Sequence, residues 1–276
     1  MTKNYIVFLE LPLKLSLPSF FCGLFNNKAF ADALIMDPNF DTKIHIINKK
    51  TGEVIKKKFY TDPIFVFHHI NAYEKLDANS NLSEIIVDVC AYDPKYFSIK
   101  DLSYEDMFTE KLLGSKKLRA IARRISVPMK KEEDTNTNIY CKIEDLNSIL
   151  AFELPTINYS RFNGKPYQYF YAANYQKSPF SIVKVNVDNP YEVVEKTYSL
   201  GNYKFLPSEP IFIENPNPKS EDDGILVVIV LSNKNDYLSI IDAKTMIEVA
   251  RADLPAEVEC SITFHGIYFN SVYVVF

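Results

Sequence analysis

The stretch KIHIINKKTGEVIKKKFY, residues 43–60, alternates apolar and polar side chains, turns over at Lys-Lys-Thr-Gly and then enters a second strand-like run. This layout predicts a β-hairpin, because alternate residues of a strand face opposite sides of a sheet. SIVKVNVDNPYEVVEKTYSL (181–200) and YLSIIDAKTMIEVARADL (237–254) have the same layout. Their return strands open at Glu192 and Glu248, 56 residues apart. This spacing favours a β-propeller of four-stranded units, with a β-sandwich as the alternative.

One segment departs from the β pattern. LSYEDMFTEKLLGSKKLRAIARRISVP, residues 102–128, has helical spacing at Leu118, Ile121 and Ile125 and carries five Lys and Arg residues from 116 to 124. A basic helix could bind nucleic acid or an anionic membrane. Because the chain as a whole is acidic, we favour a solvated helical insertion between blades. The polar stretches 129–138 and 214–224 are predicted loops.

Composition excludes several classes of protein. The chain has 276 residues, a net charge of −4 and a pI near 5.7, which argue against nucleic acid as a partner. Its four scattered cysteines are typical of reduced thiols in a cytoplasmic protein. No apolar run approaches the roughly 20 residues of a spanning helix. We therefore expect one all-β domain over residues 1–276, cytoplasmic or peripheral on a membrane surface.

Histidines stand in two apolar, strand-like runs. FVFHHINAYE (65–74) contains His68 and His69, which must face opposite sides of a strand, and ITFHGIYF (262–269) contains His265. Imidazole suits iron, copper or zinc, but a hydrogen-bonded core histidine is the alternative reading of His68. A ligating histidine commonly donates its other N–H to a carboxylate. The candidates are Glu209, in the apolar context LPSEPIFI, and Glu248, in the repeat unit just before His265.

Six segments occur in an order that resembles a known family. They are FVFHHINAYE (65–74), FELPTINYSRFNGKPYQYFYAAN (152–174), LPSEPIFI (206–213), EDDG (221–224), DAKTMIEVARADLP (242–255) and TFHG (263–266). Together they closely resemble the animal carotenoid cleavage oxygenases, which include β-carotene oxygenases and the retinoid isomerohydrolase. The resemblance implies a seven-bladed β-propeller with a non-haem ferrous iron, Fe(2+), held by four histidines. It also implies cleavage of a carotenoid or apocarotenoid double bond by dioxygen, giving aldehydes.

The resemblance assigns roles to four residues. His68 matches the third iron ligand and His265 the last. Glu209 is similar to the partner of the His68 position, and Glu248 to the partner of the His265 position. The first two ligands and the early blades have no counterpart, so we expect the C-terminal half of such an enzyme, an incomplete propeller that is inactive alone. The alternatives are a non-catalytic apocarotenoid-binding or interaction protein and a metal-free scaffold.

A short apolar segment near the N-terminus is a candidate membrane contact. SLPSFFCGLFNN, residues 16–27, holds Phe20, Phe21, Leu24 and Phe25. The family resemblance implies that this region contacts the membrane beside the mouth of an apolar substrate tunnel. We therefore expect an exposed apolar loop, with packing into the core as the alternative.

Overall fold

The computed structural model describes residues 1–26, 29–102, 115–129, 138–176, 179–199, 205–255, 257–258, 260 and 265–269. These residues are mainly β-strands. The strands are β1 Tyr5–Glu10, β2 Leu13–Leu15, β3 Leu34–Met36, β4 Thr42–Asn48, β5 Lys58–Thr61, β6 Phe65–Leu76, β7 Leu82–Tyr92, β8 Ile121–Pro128, β9 Asn138–Tyr140, β10 Lys142–Asn147, β11 Glu153–Thr156, β12 Tyr169–Asn174, β13 Ser181–Asn186, β14 Asn189–Thr197, β15 Phe205–Pro207, β16 Ile211–Glu214, β17 Gly224–Ser232, β18 Tyr237–Asp242 and β19 Glu248–Asp253. The helices are α1 Leu17–Phe25 and α2 Tyr159–Phe162, with 3₁₀ turns at Phe30–Ala33, Ile99–Leu102 and Lys116–Leu118.

The chain divides into two compact units. Unit 1 comprises residues 1–152, 163–166 and 175–177, and unit 2 comprises the remainder. Unit 1 holds sheet 1 (order β1-β4-β5-β9), sheet 2 (β10-β8-β7-β6) and the small ribbon β2-β3. Unit 2 holds sheet 3 (β11-β12-β13-β14) and sheet 4 (β15-β17-β18-β19, with β16 also on β17). Sheets of about four strands are the blades of a propeller, so the predicted fold class is confirmed.

The core of unit 1 lies between its two large sheets. Alternation decides which side chains enter it, because every second residue of a strand faces inward. Sheet 1 contributes Leu9, Ile44, Ile46 and Phe59, and sheet 2 contributes Ile85, Val87, Val89, Ile125 and Val127. Sheet 1 therefore has one packed face and one face turned away from this core.

The three predicted hairpins are present. In the first, Ile44 lies opposite Phe59 and the turn ends at Gly52, whose φ of 73° suits glycine. The second is β13–β14 and the third is β18–β19. Burial alternates along 44–47, 225–231 and 238–241 as predicted.

The predicted alternation over 182–187 is wrong. Residues 182–185 are all buried, including Lys184. The Nζ atom of Lys184 donates to Asp222 Oδ2 at 2.6 Å and to Lys244 O at 3.0 Å. A buried carboxylate thus neutralises the lysine, so both faces of β13 are buried.

The predicted helix over 102–128 is also wrong in its described part. Residues 121–128 form strand β8, with Ile125 buried in the core of unit 1. Arg123 Nε donates to Asp145 Oδ1 at 2.8 Å, and Arg124 forms two 2.8 Å bonds with the buried Asp88. These cross-strand ion pairs explain Arg123 and Arg124 without a nucleic-acid or membrane role. Residues 103–114 and 130–137, with most of the predicted loop 129–138, lie outside the described residues.

The EDDG segment, 221–224, anchors the turn before β17. Glu221 accepts bonds from the backbone N–H groups of Gln168 and Tyr169 at 2.7–2.9 Å. Asp222 forms the buried pair with Lys184. A Cβ atom at Gly224 would come within 2.4 Å of the Ile213 carbonyl oxygen, so the close approach of β16 requires glycine there.

Candidate functional site

His68 lies on β6 between two irregularities of the strand. The register of β6 against β7 shifts between Val66 and His68 and again between His69 and Asn71. His68 lies opposite Cys90, and its side chain is half-buried, whereas His69 is exposed. Bulges of this kind re-aim side chains and are common near functional sites.

Two polar residues hold the end of β6. Asn71 is buried, its Nδ2 donates to Lys165 O at 3.0 Å, and its Oδ1 accepts from Gly164 N at 3.1 Å. Glu74 accepts from Thr2 Oγ1 at 2.6 Å and from Asn4 N at 2.7 Å. The bulged strand that carries His68 is therefore fixed to two neighbouring segments of unit 1.

Four aromatic rings cluster beside His68. Phe65 stacks on Phe97 with ring centroids 4.7 Å apart, and Phe67 meets Phe65 edge-to-face at 4.7 Å. Tyr92 lies 4.5 Å from Phe97, and the ring of Phe67 lies 6.4 Å from that of His68. Phe67 is the exposed member, at 42%. The cluster was not predicted, although Phe65, Phe67 and Tyr92 stand at the ends of two strand-like runs in the sequence.

His265, in unit 2, forms a specific pair with Glu209. The Nδ1 atom of His265 lies 3.1 Å from Glu209 Oε1, and the backbone N–H of Gly266 donates to Glu209 Oε2 at 2.9 Å. The Glu209 side chain is 15% exposed and the His265 side chain 62% exposed. A carboxylate held in this way favours the tautomer with its proton on Nδ1, which leaves the lone pair on Nε2.

The observed pair differs from the predicted one. Glu248 was expected beside His265, but its Oε2 accepts from Ser239 Oγ at 2.8 Å and its Oε1 accepts from Arg251 at 2.8 Å and 3.0 Å. The pKa of Glu248 lies below its usual value. Burial alone would raise this pKa, but the hydrogen bonds from Ser239 and Arg251 lower it by more. Glu248 therefore ties β19 to β18, and Glu209 carries both the His265 and Gly266 contacts.

The two histidines predicted to bind a metal lie in different units. His68 belongs to unit 1 and His265 to unit 2. Their convergence on one ion stays a prediction. Among the described residues, no group of three or more His, Cys, Asp or Glu side chains is placed to hold a metal ion.

The predicted membrane segment is a helix, not a loop. Ser16 caps α1, accepting from Ser19 N at 3.3 Å, and proline in the first turn suits a helix start. Phe21, Leu24 and Phe25 are exposed at 56%, 63% and 87%, as predicted, whereas Phe20 is half-buried. We call the exposed apolar residues of this region, Leu17, Phe21, Leu24, Phe25 and Phe30, the α1 surface. No helix in the described part of the chain is long and apolar enough to cross a bilayer.

Comparison with known proteins identifies the family. The sequence profile described as "Retinal pigment epithelial membrane protein" matches residues 1–270. The chain belongs to this family. It is 32% identical to "Beta,beta-carotene 15,15'-dioxygenase" of Mus musculus over 97% of the chain and 49% of the mouse protein. It is 28% identical to "Carotenoid-cleaving dioxygenase, mitochondrial" of Homo sapiens over 97% of the chain and 50% of that protein.

Solved structures share the fold of this chain. A cobalt-substituted Synechocystis ACO superposes with a TM-score of 0.73 at 22% identity, covering 92% of this chain and 49% of the other. The matching structures are seven-bladed β-propellers. The chain thus spans about half the length of the relatives it matches.

Proposed function

We propose that this chain forms part of a non-haem iron oxygenase that cleaves a conjugated double bond of a carotenoid or apocarotenoid with dioxygen, giving aldehydes. The observation that carries the proposal is the His265–Glu209 pair, an imidazole oriented by a nearly buried carboxylate. The names of the mouse and human relatives support the reaction class.

In this proposal two histidines are ligands of the iron, and Glu209 orients one of them. His265 and His68 supply two of the imidazoles that hold Fe(2+), and Glu209 keeps His265 in the tautomer that leaves Nε2 to the metal. The donors fit the ion, since neutral imidazole is a good ligand for ferrous iron. When bound, the iron supplies the position at which dioxygen is activated.

The substrate contact proposed for unit 1 is Phe67, the exposed ring of the aromatic cluster, which the buried rings of Phe65, Tyr92 and Phe97 hold in place. A polyene is long, flat and apolar, so stacked and edge-on rings give it favourable contact and exclude water. The α1 surface is the proposed peripheral contact with a membrane, from which an apolar substrate could be extracted. The aromatic contact and the α1 surface both fit a cytoplasmic protein that binds at the periphery of a membrane.

The test co-expresses this chain with the half of the mouse dioxygenase that the chain does not match. The mouse half is co-expressed with residues 1–276, and iron content and apocarotenoid aldehydes are measured by elemental analysis and chromatography. We expect His265→Ala to abolish the aldehyde and Glu209→Gln to lower iron content. Glu248→Gln is the matched control, because Glu248 contacts Ser239 and Arg251 instead. Equal activity of the wild type and His265→Ala would refute the proposal.

A second candidate is a non-catalytic apocarotenoid-binding protein. Phe67 favours it, because its exposed ring can contact a polyene without a metal. The discriminating result is carotenoid binding that is weakened by Phe67→Ser but unaffected by His265→Ala, with no aldehyde formed.

A further inference from the structure

Asn71 stands where β6 regains its pairing with β7 after two irregularities. The register shifts between Val66 and His68 and again between His69 and Asn71, and Asn71 then lies opposite Asp88. Each shift inserts one extra residue into β6, so the backbone that carries His68 is bulged on both sides. Such a conformation persists only where neighbouring groups hold it. The groups that hold Asn71 therefore bear on the direction of the His68 side chain.

The side chain of Asn71 bonds to a segment that is distant in sequence. It is buried, and its Nδ2 atom donates to Lys165 O at 3.0 Å. Its Oδ1 atom accepts from the backbone N–H groups of Gly164 at 3.1 Å and Ala72 at 2.9 Å. We call residues 163–166, which belong to unit 1, the clasp. Both ends of one buried amide thus bond to backbone, which makes the contact costly to break, since a buried donor or acceptor would lose its partner.

The clasp is fixed from its other side by the segment around Thr2. Gly164 has a φ of 76°, and a Cβ atom there would lie 3.2 Å from the carbonyl carbon of Thr2 and 3.4 Å from the backbone nitrogen of Lys3. Thr2 in turn donates from Oγ1 to Glu74 Oε1 at 2.6 Å, and Glu74 lies on β6 shortly after Asn71. β6, the clasp and the segment around Thr2 therefore form a closed ring of contacts within unit 1. Such a ring resists displacement of Asn71 along the strand.

We propose that Asn71 is a positioning residue for the metal site and that it acts through the clasp. This inference rests on the proposed function in one respect, namely that His68 is a ligand. Alternate residues of a strand face opposite sides of a sheet, so a one-residue slip reverses every side chain that slips. If the bulge before Asn71 were lost, His68 and His69 would move by one position against β7 and exchange faces. The role of Asn71 is to fix where the register resumes, not to touch the metal.

The first test uses the chain without metal. The chain is prepared with isotope-labelled histidine, and the ring signals of its four histidines are recorded by NMR, with His68→Ala identifying the signal of His68. We expect Asn71→Ala to shift the His68 signal by more than its line width and to leave the His265 signal in place. Gly164→Ala, which disturbs the clasp from its other side, should shift the same signal.

Asn147→Ala is the matched control. Asn147 is also a buried asparagine of sheet 2, and its Oδ1 atom accepts from Ile149 N at 2.9 Å and from Leu150 N at 3.1 Å. Its replacement removes comparable hydrogen bonds at the end of β10, a strand that does not pair with β6. Thermal melting should show similar destabilisation of the two variants, but only Asn71→Ala should shift the His68 signal. A purely structural role of Asn71 would make the two variants alike.

The second test measures how firmly the metal is held. The chain is co-expressed with the half of the mouse dioxygenase that it does not match, and the loss of iron from the assembly to a chelator is followed with time. We expect the Asn71→Ala assembly to lose iron about tenfold faster than the wild type, since groups that orient a ligand typically change metal affinity by this order. The Asn147→Ala assembly should lose iron at the wild-type rate.

The results distinguish failure of this inference from failure of the proposed function. An unshifted His68 signal in folded Asn71→Ala protein, or an equal shift in Asn147→Ala, overturns the role of Asn71. Where Asn71→Ala does not fold, the His68 signal of Gly164→Ala decides in the same way. Equal rates of iron loss from the Asn71→Ala and wild-type assemblies also overturn the role. A wild-type assembly that holds no iron refutes the proposed function and with it the metal role of Asn71, whereas the NMR comparison still decides whether Asn71 positions His68.

Discussion

At the scale of single residues, Glu209 and Glu248 show what a sequence can and cannot assign. Glu209 stands in an apolar run, where an unpaired carboxylate is costly, and Glu248 lies in the repeat unit just before His265, so each was a candidate partner of a histidine. The identity of the partner depends on strand register and loop paths, which short motifs do not encode. In the structure Glu209 contacts His265, and Glu248 contacts Ser239 and Arg251.

The buried ion pair of unit 2 was invisible in the sequence for a similar reason. Lys184 and Asp222 are 38 residues apart, and each looks like an ordinary surface residue in its own segment. Lys184→Met should destabilise the protein by about 3–5 kcal/mol, because it leaves the carboxylate of Asp222 buried without its cation. Urea unfolding measures the change.

Lys75→Met is the matched control for this substitution. Lys75 pairs with Glu84 at 2.8 Å, but its side chain is 61% exposed. The control should cost no more than about 1 kcal/mol, since solvent screens an exposed pair. Equal losses in the two variants would contradict the buried pair.

The same pair predicts a pH dependence. Burial raises the pKa of Asp222, but the hydrogen bonds from Lys184 and Ser220 outweigh it and lower the pKa overall. The stabilisation is therefore complete above the unfolded-chain pKa of about 3.9 and is lost as the pH falls through the lower folded value. Asp222→Asn should cost more free energy of unfolding at pH 7 than at pH 3. A pH-independent difference would contradict this assignment.

At the scale of elements, hairpins were predictable and the basic segment was not. Alternation and turn residues located β4–β5, β13–β14 and β18–β19, because local sequence determines a hairpin. The spacing of Ile121 and Ile125 fits a helix as well as a strand. Only the cross-strand partners of Arg123 and Arg124, which come from β10 and β7, decide in favour of β8.

Gly224 is a test of the junction between β16 and β17. Gly224→Ala should destabilise the protein by about 1–3 kcal/mol, because the added Cβ would meet the Ile213 backbone at 2.4 Å. Gly52→Asn is the control: Gly52 has open space around it, and asparagine tolerates its positive φ. Thermal melting compares the two, and an unchanged melting temperature for Gly224→Ala would show that the junction relaxes.

The α1 surface predicts membrane binding through apolar contact. Phe21→Ser combined with Phe25→Ser should strongly reduce flotation with phosphatidylcholine vesicles, since both rings are exposed on one short helix. Ile247→Ser combined with Val249→Ser is the control, because these residues are 63% and 59% exposed at the start of β19. Equal flotation of the wild type and both double variants would show that α1 is not the membrane contact.

At the scale of the whole molecule, the fold was easier to predict from the sequence than the metal site. The repeat of four-stranded units was predictable from the periodic hairpins. That His68 and His265 bind one ion stays a prediction, because it depends on how distant segments of the chain are arranged. Within each unit, the structure shows what positions each histidine. His68 lies on the bulged strand β6, and Glu209 contacts His265.

Residues 1–276 alone should neither hold stoichiometric iron nor cleave β-carotene. The described residues provide no set of three or more metal donors, and two imidazoles bind ferrous iron too weakly to retain it during purification. A propeller of half the relatives' length would also leave part of an apolar substrate in water, where it cannot be aligned for reaction. The measurements are iron per chain and chromatographic detection of apocarotenoid aldehydes. One iron per chain with turnover would mean that the chain builds a complete site, and His45→Ala and His69→Ala would then be the first variants to locate it.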